Sequence, residues 1–64
     1  MTGPELRAWM EANGWSLRKL SAALDIGLRT MLRYRSGESR IPRPIELALP
    51  TVHAQREADL AEAS

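Results

Sequence analysis

Arg29 and Arg33 stand four residues apart, a spacing that on a helix puts both guanidinium groups on one face, about one turn from each other. Two donors of such a fork match the O6 and N7 acceptors on the major-groove edge of guanine. Leu28 and Leu32 repeat the spacing one position earlier, on a surface where leucine gains nothing from water. In a DNA groove the same side chains can meet thymine methyl groups. Taken alone, two arginines on a helix also describe an ordinary solvated face. The framework around them has to separate the two readings.

Other chemistries find little to build on. Cysteine is absent and His53 is the only histidine, so neither a disulfide framework nor a thiolate or multi-histidine metal site is expected, and no cofactor is implied. With nothing to complete a site, His53 reads as a solvated residue. Glu5, Glu11 and Glu38 fall at helix ends or in loops, where the helix dipole and solvent account for them. Sixty-four residues hold one small core and no deep pocket to tune a carboxylate, so an enzyme is not expected. No apolar run approaches the roughly 20 residues that span a bilayer, and the first residues lack a basic-then-apolar leader. A cytoplasmic protein without a membrane partner is the expectation.

The overall charge of +1 conceals an asymmetry. Residues 1–44 carry eight Lys/Arg against four Asp/Glu, a balance of +4, whereas residues 45–64 carry Arg56 against four acids, a balance of −3. The basic part is the candidate polyanion surface. Arg40 and Arg43 flank prolines beyond the arginine pair, where phosphate contact and simple solubility are both open.

Local signals divide the chain into short helices. Thr2-Gly3-Pro4-Glu5 is a capping box that starts a first helix, with Leu6, Trp9 and Met10 on one face and Asn13-Gly14 closing it. Ser16 caps a second helix, and Trp15 before it can pack on Leu20 as a hydrophobic staple. Leu17, Leu20 and Leu24 form its apolar face, while small Ser21, Ala22 and Ala23 permit close approach of another helix. Asp25-Ile26-Gly27 predicts a tight turn with its middle residue buried. The helix carrying the arginines then runs from Leu28 to Tyr34, with Met31 and Tyr34 facing inward and Ser36-Gly37 ending it. Trp9, Trp15, Met10, Met31 and Tyr34 read as core and not as a stacking platform for single strands. Pro44 suits the first turn of a fourth helix, and Pro50 disfavours helix at Leu49, so residues 50–64 are expected as a separate acidic tail, helical or frayed. Removing residues 51–64 is expected to leave the fold in place.

Two short helices joined by a tight turn, the second basic and capped, form the arrangement in which one helix braces on a DNA backbone and the next enters the major groove. The line Ser16, Leu20, Leu24, Ile26, Thr30, Met31, Tyr34, Gly37, Ile41 and Pro42 resembles the Cro/phage-repressor (XRE-like) family of helix-turn-helix transcriptional regulators. The resemblance spans residues 4–49. Leu17 stands where that family usually has glutamine, Asp25 where it has the turn glycine, and Arg35 where it has an acid.

The resemblance implies an all-α, lambda-repressor-like domain of four to five helices over residues 1–49. Carried over by position, base-reading residues fall on Gly27, Leu28, Arg29, Leu32 and Arg33, with Ser16, Arg18 and Lys19 near the DNA backbone. It further implies a repressor that binds a palindromic double-stranded DNA operator as a homodimer, for which Leu47, Leu49, Val52 and Leu60 are candidate contacts. The alternative is an antitoxin-type interaction module, whose acidic tail binds a protein partner while the same helices serve autoregulation.

Overall fold

The computed structural model describes residues 1–63; Ser64, the last residue of the expected tail, lies outside them. The described residues form four helices and no strand: α1 (Gly3–Ala12), α2 (Leu17–Leu24), α3 (Leu28–Ser36) and α4 (Arg43–Ala63). The chain is therefore all-α. No helix among these residues is long and apolar enough to cross a membrane.

The short-range signals act as their chemistry dictates. Thr2 Oγ1 accepts from the Glu5 amide at 3.2 Å, and the Glu5 carboxylate accepts from the Thr2 amide at 3.0 Å, so two orphan donors of α1 are satisfied reciprocally. Ser16 Oγ accepts from the Lys19 amide and caps α2. Asp25 adopts the left-handed conformation (φ 55°, ψ 45°) that ends α2, and the Ile26 amide reaches back to the Ser21 carbonyl at 2.9 Å. Gly37, at φ 85°, ends α3 in the same region, where a Cβ would be strained.

Leu6, Met10, Trp15, Leu20, Met31, Ile41 and Leu49 make the core, drawn from every helix and both longer connections. α3 packs on α1 and α2, and α2 packs on α4. Gly3 permits the closest of these approaches: a Cβ there would lie 2.6 Å from the Arg35 carbonyl oxygen and 2.9 Å from the Gly37 amide nitrogen. The start of α1 therefore abuts the backbone at the end of α3. Ser21 is buried between helices with its hydroxyl donated to the Arg18 carbonyl at 2.9 Å, whereas Ala22 and Ala23 are exposed. Ile26, expected buried, is half-buried against the core.

The largest departure from the sequence expectation is α4, which continues through Pro50 without a break. An internal proline loses one helical hydrogen bond and costs about 3 kcal/mol. What offsets it lies beyond the proline. Val52 packs on the core, and His53 is half-buried beside Trp9 and Trp15 instead of solvated. Its Nδ1 accepts from Trp15 Nε1 at 3.1 Å. The Arg56 guanidinium lies 4.6 Å from the centre of the Trp15 ring and donates to the Asn13 and Gly14 carbonyls at 3.3 and 3.0 Å. A hydrogen bond from a charged donor contributes about 1.5–3 kcal/mol and a neutral one about 1, enough to hold the helix past Pro50.

Candidate nucleic-acid interface

Met31 is fully buried, and Tyr34 and Arg35 are half-buried on the same side of α3, which turns the opposite side outward. That outward face carries Arg29 and Arg33. They line a shallow cleft of about 330 Å³ with Leu32, Ser36 and Glu38. Leu28 and Leu32 remain 38% and 42% exposed, large apolar side chains left at the surface on a face that is otherwise cationic. Gly27 is the N-cap of α3 and supplies no side-chain cap, so the first amides of α3 have no side-chain acceptor at that position.

The arginines on this side make no ion pair among the described residues, and Glu38 is the acid that shares their cleft. Ion pairs among the described residues engage the Met1 amino group and Arg43 with Glu46, and Arg7 with Glu11. Arg18, Arg29, Arg33 and Arg40 take part in none of them and are exposed. Arg43, 3.6 Å from Glu46, is partly neutralised at the start of α4.

The expected site residues separate into two groups. Arg29, Leu32 and Arg33 come together with Ser36 and Glu38. Lys19, by contrast, lines a different groove, between α2 and α4, with Trp15, Ala23 and Val52. The Ser16 hydroxyl is already occupied by the Lys19 amide at 3.2 Å, although an oxygen can still donate its own proton. Arg18 is exposed on α2, and Arg40 on the connection between α3 and α4.

Glu38 was not expected in the arginine cleft. Gly37 turns the chain at the end of α3, and the Ser39 amide then bonds the Arg33 carbonyl at 3.2 Å, folding the loop back alongside the helix. An acid one residue after a helix-ending glycine looks like any loop acid, so only the direction of that fold-back identifies it.

An exposed helix face with two adjacent guanidinium groups and two leucines can do three things at a duplex. It can attract phosphates, donate bidentate hydrogen bonds to guanine, and cover thymine methyls. The carboxylate of Glu38 can accept from a cytosine amino group and repels phosphate. Comparison of the chain with models of protein families, with curated protein sequences and with solved structures finds no significant match.

Proposed function

We propose that this chain is a sequence-specific double-stranded DNA-binding protein of the helix-turn-helix kind, with α3 as its recognition helix and α2 bracing on the phosphate backbone. The observation that carries the reading is the outward face of α3: Arg29 and Arg33 stand unpaired beside exposed Leu28 and Leu32, directly after a tight turn from another short helix. A solvated face would account for the arginines but not for the leucines. Phosphate contacts fall to Arg18 and Arg40, whose charges are free, and Lys19 serves the other flank of α2.

A protein of this kind is a binding protein and not a catalyst, and by occupying a promoter it represses transcription. One recognition helix spans only a few base pairs. Two copies on half-sites about 34–36 Å apart multiply affinity and specificity, so the operator is a palindrome and the working unit a homodimer. Selection of bound sites from random duplex DNA tests the reading directly. An enriched guanine-containing half-site, with log K falling against log salt by about 0.9 for each phosphate neutralised, is the expected result. No enrichment, or affinity insensitive to salt, overturns it.

A further inference from the structure

A second groove, of about 470 Å³, opens between α2 and the far half of α4. Trp15, with the Arg56 guanidinium over its ring, Ala23 and Val52 make its floor, with Leu60 on the α4 wall; Lys19 stands on the α2 side and Asp59 on the α4 side. It shares no lining residue with the arginine cleft on α3, so both surfaces are usable at once.

α4 forms one wall of this groove as far as Leu60 and runs on to Ala63. At the near end of this stretch Arg56 is tied to the Asn13 and Gly14 carbonyls. Residues 57–63, which include Asp59 and Leu60 of the groove wall, are exposed, and at about 1.5 Å per residue they extend roughly 10 Å along the helix past Arg56. The molecule is accordingly 39 Å along its long axis against 20 and 19 Å across. This overhang carries Glu57, Asp59 and Glu62 with no Lys or Arg. Acids near a helix C-terminus face the negative end of the helix dipole, so a cation brought against them relieves a real repulsion. Leu60, in the middle of the overhang, is 55% exposed.

We propose that the occupant of this groove is the α4 overhang of a second copy of the chain, seated reciprocally. Leu60 of each copy covers the floor of the other, and Asp59 of each meets Lys19 of the other. Each chain holds both halves of the contact, a groove floor with Lys19 at its side and an acidic helix end with a leucine, as a two-fold isologous interface requires. Of the four residues expected at a dimer contact, two lie outside this groove. Leu49 is 1% exposed and belongs to the core, and Leu47, thirteen residues before Leu60, lies about 140° away around the helix at 100° per residue. Val52 and Leu60 are the two of the four that line the groove. The inference deepens the dimeric part of the DNA-binding reading and rests on it for its use, but its chemistry is independent of DNA.

Sedimentation equilibrium of the full chain without DNA tests it, with circular dichroism confirming that each variant is folded. The wild type should approach twice the monomer mass as concentration rises from micromolar to millimolar. Lys19→Glu alone places acids opposite acids, and Asp59→Lys alone places cations opposite cations, so each should remain at monomer mass. An equimolar mixture of the two restores opposite charges at both contacts and should recover the doubled mass, a result that no effect within one chain can produce. A monomeric wild type at millimolar concentration, single variants that associate like the wild type, or a mixture that stays monomeric overturns the proposal. A chain that dimerises by this pattern yet binds no duplex upholds the interface and removes the DNA reading. A chain that binds its operator as a monomer removes the interface alone.

Discussion

Trp15 donates its indole N–H to Nδ1 of His53 at 3.1 Å, across 38 residues of sequence. The bond joins the corner between α1 and α2 to the first turn of α4 after Pro50, where it is one of the anchors of the far half of α4. Trp9 stacks on Trp15 with ring centres 6.4 Å apart, His53 stands edge-on to both rings, and Arg56 closes the cluster from the next turn. On the other side of the ring, His53 Nε2 lies 3.4 Å from Glu57 Oε1.

The cluster reverses the expectation that the tail is dispensable. Ending the chain at Pro50 removes Val52, His53 and Arg56 and uncovers Trp15, and should lower the thermal midpoint sharply. Ending it at Glu57 keeps these anchors and should change the midpoint little. Arg56→Ala in the full chain should cost about 1–3 kcal/mol, since it loses two charged hydrogen bonds and the contact over Trp15. Circular dichroism melts and denaturant titrations of the three variants read these differences.

Gly3→Ala sets helix propensity against packing. Alanine favours an exposed helix by about 1 kcal/mol over glycine. Here its Cβ would come within 2.6 Å of a backbone oxygen and 2.9 Å of a backbone nitrogen, neither of which can rotate away. Overpacking of this kind costs about 1–3 kcal/mol, so the substitution should destabilise. Urea unfolding at equilibrium gives the sign, and a stabilised variant would mean that α1 and α3 do not meet this closely.

The capping box makes α1 sensitive to acid. The Thr2 amide bonded to the Glu5 carboxylate, and then the Thr2 hydroxyl, hold that carboxyl below its ordinary value of 4.5. Because the folded value is the lower one, the stabilisation is present above the unfolded value and is lost as pH falls through the folded one. Glu5→Gln keeps an oxygen able to accept from Thr2 but has no proton to gain. Melting midpoints measured from neutral pH downward should therefore fall more steeply through the carboxylate range in the wild type than in the variant.

On DNA, Arg29→Ala and Arg33→Ala should each cost about 1–3 kcal/mol on the selected site and far less on scrambled duplex, shrinking the specificity ratio roughly 5- to 150-fold. Arg18→Ala should weaken all duplexes alike and make the salt slope shallower by about one unit. Glu38→Ala should raise affinity for scrambled DNA by removing a charge that repels phosphate beside the two arginines. Titrations on both duplexes at two salt concentrations distinguish these outcomes. Arginine variants that retain the full ratio would move the recognition surface to another face.

The features legible in the sequence are those decided within a few residues. The Thr2 and Ser16 caps, the left-handed Asp25, the Gly37 stop and the inward Met31 with outward Arg29 and Arg33 follow from hydrogen bonds and periodicity inside single turns. Three other outcomes turned on partners far along the chain. Pro50 disfavours helix by its own chemistry, and the helix persists because Trp15 and the Asn13-Gly14 carbonyls hold His53 and Arg56 beyond it. Gly3 looks like an ordinary first-turn residue until the backbone of Arg35 and Gly37 arrives against it. Lys19 and Arg18 are neighbours in sequence, yet only Lys19 lines the groove beside α4. Local propensity sets where each helix begins and ends; which flank meets another helix is settled by packing all four around one core, and no single segment contains that information.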